Sequence, residues 1–262
     1  MFVAIGSVKG PGVTSTAVAL AARWPTAPGP VVVEADPAGG DLAFRFGHHR
    51  QPGLSALAAD TRRGDHLPNL DAYGQRLRLG VDVVFGPADP EAEQTVRLLA
   101  ATGLPVLRAA ATIRRPVVVD VGRLGWQSPA WPLAAAADVL LLMCPAGLDG
   151  VDAAACRRDR ILAITGMRAE VRLLLCGDSR LSGDEIAGVV GLPVAGWVPF
   201  DAAGAAVVSG RAMADRGWTR LPLLRAARAL ALTLTDSRHH RSDSPPSSTM
   251  AAVQPAGRVI GW

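Results

Sequence analysis

Phe2-Val3-Ala4-Ile5-Gly6-Ser7-Val8-Lys9-Gly10-Pro11-Gly12-Val13-Thr14-Ser15-Thr16-Ala17-Val18-Ala19-Leu20-Ala21 joins an apolar run, a glycine-rich turn and an alanine-rich segment without interruption. Phe2–Ile5 reads as a buried strand and Thr14–Trp24 as a helix. A glycine-rich loop between a strand and a helix N-terminus suits an anion, because backbone N–H groups can wrap its oxygens and the helix dipole favours negative charge there. Many strand-to-helix turns share this composition, so the turn alone does not name its ligand.

The same alternation continues along the chain. Val31–Val33, Val83–Phe85, Val117–Val119, Val139–Met143, Leu173–Leu175 and Trp197–Val198 are short apolar runs that lack strict alternation, as strands buried on both faces of a parallel sheet do. Helical patterns lie between or after them, at Pro90–Ala101, Leu107–Ile113, Gly150–Ile164, Ser182–Val190, Ala202–Ser209 and Leu221–Leu234. In the last of these, Leu223, Leu224, Ala227, Leu230, Ala231 and Leu234 form one apolar face, which predicts packing on a sheet. The order predicts an α/β fold, a doubly wound, mostly parallel sheet with helices on both faces. Residues about 47–80 break the pattern and read as an insertion of loops and short helices, while 237–262 read as a disordered tail after a domain of residues 1–236.

Composition narrows the class. A chain of 262 residues that is 49% hydrophobic and 19% charged can bury a sizeable core, in one domain or at most two. Its 27 basic residues against 23 acidic ones leave a net charge of +4, too small to mark a nucleic-acid binder. Lys9 is the only lysine. Cys144, Cys156 and Cys176 have no CxxC spacing, which argues against a disulfide framework or structural zinc and for a reducing, cytoplasmic setting. The start of the chain lacks a cationic segment, so no signal peptide is expected. The apolar stretch from Ala130 to Leu148 is broken by Pro132, Asp138 and Pro145, so no integral membrane segment is expected either.

Three more strings bear on function. Glu34-Ala35-Asp36-Pro37-Ala38-Gly39-Gly40-Asp41 follows the second strand, and a carboxylate at such a strand end can hold a Mg²⁺-bound water or orient an attacking one. Pro116-Val117-Val118-Val119-Asp120-Val121-Gly122 is an apolar strand ending in Asp. Gly191-Leu192-Pro193-Val194-Ala195-Gly196-Trp197-Val198-Pro199-Phe200-Asp201 lies far downstream, before a helix and Ser209-Gly210-Arg211.

Taken with the first loop, these residues resemble the ParA/MinD class of P-loop ATPases over about residues 1–46 and 80–234. Lys9 to Thr16 resembles the deviant Walker A motif, roughly KGGxGKTT, with Lys9 as the signature lysine that reaches a partner's nucleotide. The motif's second lysine is missing. If helix registers are matched, Val13 replaces it and Thr14 takes the Mg²⁺-ligating position; if no gap is allowed, Thr14 replaces it and Ser15 takes that position. The first is preferred because Thr14-Ser15-Thr16 then matches the family's hydroxyl run. The loss is similar to that in the TadZ/CpaE branch of pilus-assembly relatives. Glu34 and Asp36 resemble the DxDPxG segment, Asp120 resembles the Walker B aspartate, and Pro199, Phe200 and Asp201 resemble the stretch lining the adenine pocket.

The resemblance implies an ATP- and Mg²⁺-binding protein that forms a homodimer on ATP and serves as a positioning or assembly factor with a protein partner, in pilus or secretion machinery for instance. It implies Lys9 and Asp36 as catalytic residues. Lys9, Gly10, Pro11, Gly12, Val13, Thr14, Ser15, Pro199, Phe200 and Asp201 would contact the nucleotide, and Thr14, Asp36 and Asp120 the metal. Loss of an in-cis lysine implies weak or absent hydrolysis, since one positioned cation can be worth ~10³–10⁵ in phosphoryl-transfer rate. Two alternatives stand beside this reading: an active partitioning ATPase that holds DNA non-specifically through Arg157, Arg158 and Arg160, and a scaffold that binds no nucleotide.

Overall fold

The computed structural model describes residues 1–10, 12–88 and 90–242, with side chains of the last helix described through Asp236. Pro11 and most of the tail, residues 243–262, fall outside this set. In chain order the elements are β1 (Phe2–Ser7), α1 (Val13–Ala22), β2 (Val31–Glu34), α2 (Leu42–Phe46), α3 (Leu54–Arg63), β3 (Gln75–Arg76), β4 (Asp82–Val84), α4 (Glu91–Thr102) and α5 (Leu104–Ala109). They continue with β5 (Val117–Arg123), α6 (Trp131–Ala136), β6 (Val139–Pro145), α7 (Leu148–Leu162), β7 (Glu170–Cys176), α8 (Gly183–Val190), β8 (Val194–Val198), α9 (Ala202–Val208) and α10 (Pro222–Ser242).

The strands form one sheet in the order β3-β4-β2-β5-β1-β6-β7-β8. Only β3 runs antiparallel, on the edge beside β4. From β1 the chain winds to one side through β2 and β4, and later to the other through β6, β7 and β8. The C-terminal end of β1 therefore lies where the winding reverses, the place where open α/β sheets hold ligands.

The apolar runs lack alternation because each face of the sheet meets its own helices. Phe2, Ala4, Val117, Val119, Leu140 and Leu142 join a core with α3 to α8. Val3, Ile5, Val118, Leu141 and Met143 join a second core with α1, α2, α9 and α10. Helix α1 is buried on almost every side, from Val13 and Thr16 through Ala21, and its alanines and Leu20 let it lie close against the sheet under α10.

Residues 47–80 hold loops and the short helix α3, whose Leu54, Leu57 and Ala58 are buried in the main core as the chain passes from β2 to β4. The structure revises two sequence expectations. The eighth strand, β3, was invisible to periodicity because it has two polar residues, fixed by Arg76 Nε 2.7 Å from Asp82 Oδ1. The last helix runs to Ser242, beyond the boundary set at Asp236. The short helices α2 and α6 were also missed, being shorter than two full turns of apolar repeat. Among the described residues, no single helix is long and apolar enough to cross a membrane.

The six residues of the predicted apolar face of α10 are all buried, with Leu224 at 0% exposure. Truncating such a side chain costs about 2–5 kcal/mol, so Leu224→Ala is expected to lower unfolding free energy by that amount in a urea titration. A loss below about 1 kcal/mol would contradict the docking of α10 on α1 and β8.

Candidate functional site

Glycine shapes the loop after β1. Gly10 and Gly12 have φ of 103° and 106°, left-handed backbone in which any Cβ is strained. The Ser7 hydroxyl donates to the Gly10 carbonyl at 3.2 Å and ties the loop back to its strand. Gly12 precedes α1, which has no side-chain cap and no acidic residue in its first turn. By contrast, Ser182 and Glu185 close a capping box on α8, and Asp201 caps α9. The first-turn N–H groups of α1 are left for a ligand at the positive end of the helix dipole.

This helix end opens into a cavity of about 470 Å³, within the size range of small-molecule sites. Gly10, Gly12, Val13, Thr14, Ser15 and Asp36 line one end, and Pro199, Phe200 and Asp201 the other. Val13 is only 6% exposed and belongs to the core, so the position where the preferred alignment loses its lysine carries no charge. The Phe200 ring rests on Gly177, where a Cβ would come within 2.3 Å of it; the indole N–H of Trp197 donates to the Gly177 carbonyl. Phe200 is 80% exposed and offers a flat apolar face. Both carboxyl oxygens of Asp201 are engaged by backbone, Oδ1 by the Gly204 N–H at 2.9 Å and Oδ2 by the Leu223 N–H at 2.9 Å. Asp201 thus joins α9 to α10 and presents no free oxygen.

Three carboxyls converge near the loop. Glu34 is spent on the fold: Oε1 accepts the Asp41 and Leu42 N–H groups at 2.8 and 3.0 Å, and Oε2 accepts the Gly86 N–H at 3.0 Å. Burial raises its pKa. Asp36 accepts the Ala38 N–H at 2.8 Å, and burial first, then the charge of Asp41, raise its pKa as well. Its carboxyl sits on Gly122, where a Cβ would come 2.1 Å from Asp36 Cγ. Asp120 is wholly buried and does not itself line the cavity. Its Oδ1 accepts the Gly122 N–H at 2.9 Å, and its Oδ2 has no hydrogen-bond partner. Burial pushes its pKa up to about 7, aided by the charges of Asp36 and Glu34 and opposed by the Thr14 hydroxyl and the Gly122 N–H. It is Thr14, rather than Ser15, whose hydroxyl acts on Asp120.

An unpartnered buried oxygen beside a hydroxyl and a second carboxyl fits a divalent cation. No three His, Cys, Asp or Glu side chains among the described residues converge as a self-sufficient metal site, so a Mg²⁺ ion here would take its other ligands from phosphate oxygens and water.

Lys9 does not line this cavity. Its Nζ lies 2.9 Å from Asp149 Oδ2 in the first turn of α7, with both side chains exposed. The α7 arginines are turned to neighbours: Arg157 donates to the Ala153 carbonyl at 2.8 Å, Arg158 pairs with Asp159 at 2.5 Å, and Arg160 lies 4.1 Å over the Trp126 ring. Cys144 is buried, as expected of a small apolar residue, but Cys176 faces the cavity; burial pushes its thiol up to about 12, so it stays protonated. Three arginines on the cavity wall, Arg45, Arg123 and Arg211, were not assigned to the site from the sequence, although Arg211 belongs to the downstream string. Arg123 directly follows the Walker B-like string, but alternation along the strand would send it away from the cavity.

The same architecture occurs in solved structures. A ParA family ATPase from Chlorobium tepidum TLS superposes with a TM-score of 0.69 at 19% identity, over 89% of this chain and 98% of that one. The cell division ATPase MinD of Pyrococcus furiosus gives 0.68 at 16% identity, over 90% and 98%. MinD of Pyrococcus horikoshii OT3, complexed with Mg-ADP, gives 0.65 at 16% identity, over 93% and 100%. No family sequence model matches the chain, and no curated protein does. The likeness is therefore one of fold: a ParA/MinD-type P-loop architecture.

The Asp120 carboxyl gives a pH dependence of definite sign. Between its ordinary value of 3.8 and about 7, the unfolded chain has lost this proton and the folded chain has kept it. Stability without Mg²⁺ should therefore fall as pH rises through that window, by roughly 1.4 kcal/mol per unit for one group, and level off above it. Glu34 and Asp36, also raised, act in the same direction. Asp120→Asn keeps an acceptor for Gly122 and removes the charge, so in Mg²⁺-free buffer near pH 8 it is expected to melt above the wild type. Superimposable pH profiles of Tm for the two proteins would contradict this.

Proposed function

We propose that the chain binds ATP with Mg²⁺ in this cavity and uses the bound nucleotide to form a homodimer that positions or assembles a protein partner. The observation that carries this reading is the pairing of an uncapped, glycine-shaped helix end with the unpartnered Oδ2 of Asp120. One feature calls for negative charge and the other for a cation, and a Mg²⁺-nucleotide supplies both. Loop N–H groups would meet the phosphates, Thr14, Asp36 and Asp120 would hold Mg²⁺ or its waters, and the Phe200 face would take the base beside Pro199. Bound Mg²⁺ would neutralise charge between the β- and γ-phosphates. Asp36 is the carboxyl near enough to the cavity to orient a water.

Turnover is expected to be weak. The loop contributes backbone donors but no side-chain cation in cis, and Lys9 is held at Asp149. That pair is exposed at both ends, so leaving it for a partner subunit's phosphates is cheap. A compact ammonium on a flexible stem suits such a crossing. The partitioning alternative, with DNA held by α7, ranks second because Arg157, Arg158 and Arg160 are already engaged within the chain.

Calorimetry with ATP and Mg²⁺, followed by sedimentation velocity, tests the reading. Expected are binding that needs Mg²⁺, a dimer only with ATP and Mg²⁺, and turnover far below the ~10 s⁻¹ typical of enzymes. Lys9→Ala is expected to bind nucleotide and stay monomeric. Absence of binding would favour the scaffold alternative, and turnover at the typical rate without a partner would contradict the degenerate-loop reading.

A further inference from the structure

Alternation along β5 should send Arg123 to the same side as Val119 and Val121, into the core with α3 to α8. It does not go there. The register of β5 on β1 shifts between Ile5 and Ser7, so that Ile5 faces Asp120 while Ser7 faces Arg123. Gly122 occupies the irregularity with φ of 57°, a glycine-dependent bulge of the kind that re-aims the next side chain. Arg123 emerges exposed on the wall of the cavity, next to Ser7 and the loop glycines.

The charges around that wall differ in how they are engaged. Arg45 is paired with Asp41, Arg211 donates from Nε to Ser209 Oγ at 3.0 Å, and Lys9 is paired with Asp149. Among the described residues Arg123 has neither an ion pair nor a side-chain hydrogen bond. A triphosphate entering this cavity brings negative charge to a loop whose lysine position is the apolar Val13.

We infer that Arg123 is the in-cis phosphate-binding cation of this site, replacing from the end of β5 the charge that the loop after β1 lacks. The inference rests on the nucleotide reading above and assigns it a residue. The bulge is then the device that makes the replacement work: Gly122 both cushions Asp36 and turns Arg123 toward the phosphates. A guanidinium offers a fork of donors to phosphate oxygens and is longer than the lysine it replaces, which suits approach from a neighbouring strand.

Full-length wild type, Arg123→Ala, Arg123→Gln, Arg123→Lys and, as control, Arg160→Ala are titrated with ATP and Mg²⁺ by calorimetry, and each is melted without nucleotide. A charge-assisted contact makes the expected loss about 10-fold or more in ATP affinity for Arg123→Ala and Arg123→Gln alike. Arg123→Lys should keep most of the affinity, Arg160→Ala should match the wild type, and the nucleotide-free melts should coincide. Affinity within about twofold of wild type in both neutral variants would overturn the assignment while leaving the nucleotide reading intact. An equal loss in Arg123→Lys would also overturn it, since charge would then not be what matters. If the wild type itself binds no ATP with Mg²⁺, the nucleotide reading fails, and this assignment fails with it.

Discussion

The Asp120 carboxyl is wholly buried in the middle of β5, and one of its oxygens has no hydrogen bond. Asp36 and Glu34 crowd the same corner, so three acidic groups share a space with little solvent to separate them. A fold tolerates this only if the groups stay protonated, are tied to backbone donors, or await a cation. All three remedies are in use. Asp120 has its pKa raised to about 7, Glu34 is bound by three N–H groups, and the remaining oxygens face the loop where Thr14 and α1 begin. The glycines follow from this crowding: Gly122 admits the Asp36 carboxyl, and Gly40 would place a Cβ 2.5 Å from Glu34 Oε2.

Those ties separate residues that look alike in sequence. Glu34 and Asp36 stand two apart at the end of one strand, yet one is a structural staple and the other remains at the cavity. Asp201 occupies a position that resembles a base-pocket residue, and its carboxylate is consumed in joining α9 to α10. The same economy explains the loop. Its missing lysine leaves backbone dipoles as the local positive field, and the cationic side chains on the cavity wall are arginines from outside the loop.

Much of the architecture was legible because a sheet covered on both faces needs uninterrupted apolar strands, and seven such runs appear in order. The loop glycines, Thr14, Asp36 and Asp120 could be picked out as candidates because they follow directly on apolar runs in the sequence. What escaped depended on contacts across the sheet. The β3 pair carries no apolar signal and is held by arginine–aspartate pairs. The α3 segment looked polar because only Leu54, Leu57 and Ala58 turn inward. Arg123 could not be placed on the cavity wall without the β5 bulge, which reverses what alternation predicts.

If phosphates are held by the backbone of the loop after β1, the amides there should be the part of the protein most altered by nucleotide. Amide hydrogen exchange across residues 9–16, with and without ATP and Mg²⁺, measures this directly. Marked slowing of exchange in that segment, with the outer helix α8 unchanged, is the result this account predicts. Exchange across residues 9–16 that is unaltered at high ATP and Mg²⁺ would contradict it.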